Sequence, residues 1–281
     1  MPTNTRLGFM QGRLSPLVDG RTQAFPWGCW QSEFASARQH GFDLMEWTLD
    51  QDLLYSNPLL TEAGQAEVTA LRAQHGIRIG SLTGDCFMQS PFWKAEAAQG
   101  EQLQEDFRAV ARACSAVGIV MMVLPLVDNG SLTTRAQEDL LVDVLQAHAP
   151  LLTELRVQVV FESDFAPAEL ARFIDRLDPA LFGVNYDIGN SASLGMRPAD
   201  EIAAYGHRIV NVHIKDRMLG GTTVPLGTGS ADFETVFAAL ARAGYRGNYI
   251  LQTARAQDGD HAGALCRYRD MALDWIERHG S

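Results

Sequence analysis

An α/β fold, a single (β/α)8 TIM barrel spanning residues 1–281, is what the sequence predicts. Three observations carry that expectation. Short strand-like runs, eight of them, alternate with longer helical stretches along the whole chain. Their starts fall about 25 to 42 residues apart, and 281 residues divided by eight gives about 35, the length of one strand-loop-helix-loop unit. A doubly wound open sheet, the competing arrangement, would place a GxGxxG turn after an early strand, and the chain has none.

The expected strands are 7–10, 42–47, 77–82, 119–124, 157–162, 182–187, 209–214 and 248–252. Between them, segments such as 101–117, 136–153 and 233–243 are rich in Ala, Leu, Glu, Gln and Arg, with apolar residues at helical spacing. Gly41, Gly76, Gly118 and Gly244 stand where a left-handed cap would end a helix before the next strand. Thr134 with Gln137 reads as a capping box, and Pro198 suits the first turn of a helix.

Composition narrows the class. Apolar residues make up 46% and charged residues 20%, which excludes disordered and fibrous chains. The net charge is −11 and no basic stripe appears, so a nucleic-acid partner is not expected. The four cysteines show no CxxC spacing, which argues against structural zinc and for reduced thiols in a cytoplasmic protein. Residues 1–13 lack the apolar core of a leader, and no stretch is long and apolar enough to suggest a membrane partner.

Side chains on a strand alternate faces. In 209–215, Val210, Val212 and Ile214 form one set and Asn211, His213 and Lys215 the other. In 184–188, Val184, Tyr186 and Ile188 oppose Asn185 and Asp187; in 157–162, Val157, Val159 and Phe161 oppose Gln158, Val160 and Glu162. The outer face of a barrel packs under helices and must be apolar, so the polar sets are expected to face the axis. Glu46, Glu162, Asp187, His213 and Gln252 then meet in one ring at the carboxyl ends of their strands, where such barrels build active sites. Several carboxylates buried beside a histidine are costly unless a positive charge lies between them, and a divalent cation is the simplest one. Mixed carboxylate, imidazole and amide donors suit Mn, Co, Mg or Zn.

The stretches Gly41-Phe42-Asp43-Leu44-Met45-Glu46, Phe161-Glu162, Asp187-Ile188-Gly189-Asn190, Val212-His213-Ile214-Lys215-Asp216 and Pro225-Leu226-Gly227-Thr228-Gly229 together cover the second to the last strand. On these residues the chain resembles the xylose-isomerase-like TIM-barrel family of sugar and sugar phosphate isomerases and epimerases. The His-x-Lys-Asp followed by Gly-x-Gly is the more specific part. The resemblance implies one divalent metal ion held by Glu162, Asp187, His213 and the residue at position 252. In the family that fourth position is a glutamate, which the family's 3-epimerases pair with the strand-five carboxylate as two acid/base groups; here it is Gln252. Asn190 also departs, standing where many members carry a histidine. A glutamine oxygen can ligate a metal but cannot take a proton at neutral pH, which counts against a symmetric two-base epimerisation and leaves one-base chemistry open.

The implied reaction is enediolate chemistry on a keto sugar or sugar phosphate, with Glu162 as base and Lys215 or a bound water managing the oxygen proton. Isomerisation and epimerisation are its expected outcomes, and dehydration of a polyhydroxy ketone or a sugar-binding barrel of reduced activity are the alternatives. Expected substrate contacts are Arg13, Glu46, Asp85, Asn190 and Arg217, the arginines because a guanidinium binds carboxylate or phosphate. Gly227 and Gly229 either offer amides to a phosphate or shape a loop, and Trp27, Trp30 and Trp93 either line a sugar face or pack. Abasic-site nucleases share the barrel, but seven histidines and an acidic surface do not suit them. The resemblance leaves room for a homo-oligomer built through helices and loops, although no apolar stripe marks a contact.

Overall fold

The computed structural model describes residues 6–280. The first five residues of the expected leader-free N-terminus lie outside that range. Eight parallel strands close into a barrel: β1 Leu7–Met10, β2 Leu44–Leu49, β3 Arg78–Gly84, β4 Met121–Leu126, β5 Gln158–Ser163, β6 Phe182–Asp187, β7 Ile209–Ile214 and β10 Asn248–Leu251. β10 returns to pair with β1 through Leu7 and Tyr249, which completes the circle. The remaining strands, β8 Asp216–Arg217 and β9 Thr223–Val224, form a small antiparallel hairpin at the mouth.

The helices are α1 Ser32–Gln39, α2 Glu62–His75, α3 Asp85–Gln89, α4 Ala97–Val117, α5 Arg135–Leu155, α6 Pro167–Ile174, α7 Ile188–Ser193, α8 Pro198–Tyr205, α9 Phe233–Arg242 and α10 His261–His279. Thr134 caps α5 by accepting from the Gln137 amide, while the Gln137 side chain reaches back to Thr133. Pro198 opens α8 as expected.

β2 and β4 start two residues later than the sequence suggests and β3 one residue later, and one cause explains all three. Gly41, Gly76 and Gly118 take positive φ of 78°, 65° and 77°. The apolar residue after each then gives its N–H back to the helix: Phe42 to Ala37, Ile77 to Arg72 and Ile119 to Cys114. These residues finish a helix instead of starting a strand, and their hydrophobicity serves the packing of that cap. Arg156 does the same without glycine, at φ 56°, and Val157 bonds to Leu152.

The interior is plugged by two apolar clusters, Met10 with Leu44 and Ile250, and Met121 with Val123 and Val160. The larger core lies between the outer strand faces and the helices, and includes Val159, Phe161, Val184, Val212 and Ile214. Val210 departs from the expected outward set. A register shift opposite Val184 and Asn185 turns both Val210 and Asn211 inward. Val210 packs on the second cluster, and a Cβ at Gly183 would lie 2.7 Å from its Cγ2, so only glycine leaves it room.

Candidate active site and metal centre

Above the apolar plug the inward positions become polar, in the order that strand alternation dictates. Glu162, Asp187 and His213 are buried, and each offers one ligand atom within 4.8 Å of the others. Adjacent register brings Asp187 beside His213. His213 Nδ1 lies 3.2 Å from Glu162 Oε2 and 3.8 Å from Asp187 Oδ2, and its Nε2 lies 2.7 Å from Glu46 Oε1. Burial opposes the imidazolium, but the carboxylates of Glu46, Asp187 and Glu162 outweigh it and hold the His213 pKa well above its ordinary value. The carboxylates of Glu162 and Asp187 converge on Nδ1, which makes this a place where a cation is favoured, and a divalent ion would be held by the same three groups.

Gln252 sits one inward step above Ile250, which pairs with His213. Its nitrogen donates to Gln23 Oε1 at 2.7 Å, and its oxygen is buried with no hydrogen-bond partner. A buried carbonyl oxygen left open is an expensive feature, and it is the atom a glutamine would give to a metal. The donor set therefore suits a divalent cation.

Glu46, expected among the substrate contacts, is placed lower. Because β2 runs on to Leu49, Glu46 is a mid-strand residue and is fully enclosed. It accepts from Ser81 Oγ at 2.5 Å, from Thr83 Oγ1, from Asn211 Nδ2 at 3.1 Å and from His213. Burial alone would raise its pKa; the charge of His213 and these hydrogen bonds hold it below the ordinary value. With its oxygens spent inside the barrel, Glu46 is positioned to hold the His213 ring rather than to touch a ligand.

The opposite rim is tied by Asn190. Its amide N–H caps α7 on Asp187 Oδ1 at 2.8 Å, and its Nδ2 donates to Glu162 Oε1 at 2.5 Å. Its Oδ1 accepts from Lys215 Nζ at 3.3 Å and Arg217 Nη1 at 2.8 Å. Lys215 Nζ also lies 2.7 Å from Asp187 Oδ2. Burial opposes the Asp187 carboxylate, but Lys215 and His213 hold its pKa below the ordinary range. Arg217 completes its contacts on the Gly221 carbonyl in the β8–β9 hairpin.

Arg13 and Asp85 lie on the far side, linked by Gln23. Arg13 is buried and donates to Thr22 O at 2.9 Å and to Gln23 Oε1 at 3.2 Å. Gln23 Nε2 donates to Asp85 Oδ2 at 2.6 Å. Asp85 continues the inward face of Ser81 and Thr83, and burial pushes its pKa up to about 7 despite the Gln23 hydrogen bond. Gly227 and Gly229 shape a loop: both amides donate to Asp216 Oδ2, at 2.9 and 2.8 Å, which joins the His-x-Lys-Asp and Gly-x-Gly stretches physically. Trp30 and Trp93 are buried packing residues, and Trp27 is half-buried against the core.

Sequence reasoning passed over Gln23, Ser81, Thr83, Asn185 and Asn211. The two asparagines were visible on the polar faces of their strands. Asn185 Nδ2 donates to Glu162 Oε2 at 3.1 Å, and Asn211 Nδ2 to Asn185 Oδ1 at 2.8 Å. Gln23 lies in an irregular loop where no period marks it.

Comparison with known proteins finds the same fold. A relative, L-ribulose-5-phosphate 3-epimerase UlaE of Escherichia coli strain SMS-3-5, is 27% identical over 272 residues, which cover 91% of this chain and 92% of that protein. The crystal structure of a xylose isomerase domain protein from Planctomyces limnophilus superposes with a TM-score of 0.75 at 16% identity, covering 98% of each chain. The IOLI protein, crystallised with a zinc atom, gives a TM-score of 0.73 at 15% identity, covering 97% of this chain and 98% of that one. At such identity the two solved structures show the fold. The family model described as xylose isomerase-like TIM barrel matches residues 34–275, and the chain belongs to that family.

Proposed function

We propose that this protein is a divalent-metal-dependent isomerase or epimerase of a keto sugar or its phosphate. The observation that carries the proposal is the convergence of Glu162, Asp187 and His213, with the unpartnered Gln252 oxygen on the same inward face. The relative named as an L-ribulose-5-phosphate 3-epimerase and the zinc in the IOLI structure support the same reading. A bound cation supplies Lewis-acid polarisation of a substrate carbonyl and offsets the charge of an enediolate.

The chain's own residues do the rest. Glu162 takes the α-proton. Asn190 and Asn185, each donating to one Glu162 oxygen, fix the direction of that carboxylate. Lys215, beside Asp187, donates to a substrate oxygen as charge develops on it. Arg217, half-buried at the rim, is assigned to a terminal phosphate or carboxylate.

Gln252 favours one-base outcomes. Without a second carboxylate at that position, reprotonation by Glu162 at the neighbouring carbon gives aldose-ketose isomerisation, and departure of a β-hydroxyl gives dehydration. Product analysis tests the proposal: Mn-loaded protein is incubated with pentuloses, hexuloses and their phosphates, and the carbohydrate is followed by NMR. An epimer, aldose or dehydrated product is expected from at least one ketose. Binding of sugars across the panel with no turnover would replace the enzyme by a sugar-binding barrel.

A further inference from the structure

We infer that Gln23, clamped between Asp85 and Arg13, is a positioning residue that sets which end of the Gln252 amide is free, so that oxygen and not nitrogen is offered to a metal. This rests on the metal-dependent reading above and adds a device to it.

The argument is one of donor and acceptor polarity. A guanidinium only donates hydrogen bonds and an ionised carboxylate only accepts them; with the Asp85 pKa up at about 7, the Arg13 end fixes the polarity throughout and the Asp85 end adds to it once ionised. Gln23 meets one of each: Nε2 lies 2.6 Å from Asp85 Oδ2, and Oε1 lies 3.2 Å from Arg13 Nη2. Turning the Gln23 amide over would set its oxygen against the carboxylate and its NH2 against the guanidinium. Both ends would then lose a hydrogen bond and gain a like-polarity contact, so the orientation is fixed by its anchors. The same Gln23 Oε1 accepts from Gln252 Nε2 at 2.7 Å. That contact can be made only by the nitrogen of Gln252, which leaves Oε1 as the open end. Polarity is thus passed from Asp85 and Arg13 through one glutamine to the next.

Burial makes the chain effective. Asp85, Arg13 and Gln252 are buried, and Gln23 is half-buried between them. Water competes little for these groups, so a broken link has few substitutes. The three segments are remote in sequence, and Gln23 and Gln252 stand 229 positions apart. A glutamate at position 252 would need no such arrangement, since both ends of a carboxylate are oxygen. A glutamine does, because a flipped amide would aim its NH2 at the cation. Gln23 is the residue that lets a neutral amide occupy the fourth ligand place.

The test is a coupling experiment read as Mn2+ affinity, from free Mn2+ measured by electron paramagnetic resonance, with thermal melts as a control of folding. Gln23→Leu is expected to weaken Mn2+ binding about tenfold in the natural background, the low end of the range for residues that orient ligands. In a Gln252→Glu background the same change is expected to move affinity less than about twofold, because the orientation no longer matters. Asp85→Asn, which keeps the volume but loses the fixed polarity, should weaken binding several-fold and serves if Gln23→Leu melts early. Unchanged affinity in Gln23→Leu, or an equal loss in both backgrounds, would overturn the relay while leaving the metal site intact. If the natural protein takes up no Mn2+, Co2+, Mg2+ or Zn2+, the metal-dependent reading itself is overturned and the relay with it.

Discussion

At the scale of single residues, the site divides into groups that alternation reveals and groups that only the folded chain can assemble. Glu162, Asp187 and His213 were legible because each is a polar residue near the carboxyl end of a strand whose alternate face is apolar, and a barrel turns the polar face inward. Glu46 was legible as an inward residue, but its depth was not. That depth depends on where β2 ends, three residues beyond Glu46 at Leu49. Gln23 was not legible at all, since two of its three partners lie 62 and 229 positions away and the third, Arg13, sits ten away in the same irregular loop region. Glu162→Gln is the sharpest substitution at this scale. It removes the base while keeping an oxygen for a metal, so α-proton exchange is expected to fall by about 10²- to 10⁴-fold with the melting temperature within a few degrees. NMR of the substrate α-proton in deuterated buffer checks this, and undiminished exchange would take the role of base from Glu162.

At the scale of elements, helix ends and inter-helix ties decide where strands begin and how the outer ring is held. Gly-X pairs after helices predicted the helix ends correctly, yet the apolar X was read as strand because a cap's hydrophobic contact and a strand's first residue look alike in sequence. Glu138 ties α5 to α6. It is buried and accepts from Arg172 at 2.7 Å and Arg176 at 2.5 Å, with Arg135 at 2.8 Å. Hydrogen bonds from Arg172 chiefly, and from the other two arginines, pull its pKa down to about 2. An unfolded glutamate titrates near about 4.3, so this stabilisation is present above that pH and is lost as pH falls toward about 2. Glu138→Gln is expected to be less stable than the natural protein at pH 7, and the gap in urea midpoint should narrow steadily between about pH 4 and pH 2. A gap that stays constant over that range would show that Glu138 acts by packing and not by its charge.

At the scale of the whole molecule, the fold was the most legible feature. Eight units of about 35 residues and strands apolar on their outer faces leave little besides a closed barrel, and closure through β10 and β1 follows. The two bulges, opposite Met45/Glu46 and Val184/Asn185, were not legible, because a register shift depends on the neighbouring strand and not on the strand's own period. The net charge of −11 acquires a local meaning: Glu46, Glu162, Asp187 and Asp85 are acidic residues gathered at one end of the barrel, balanced there by His213, Lys215, Arg13 and the cation we propose. No described helix is long and apolar enough to cross a membrane. The property on which the proposed function rests is the removal of a substrate α-proton with the help of a divalent ion. Deuterium incorporation at the α-carbon of keto sugars and their phosphates, measured before chelation, after chelation and after restoring Mn2+, tests it most directly. The account predicts incorporation that is lost on chelation and regained with Mn2+; incorporation indifferent to chelation, or none for any ketose that binds, would contradict it.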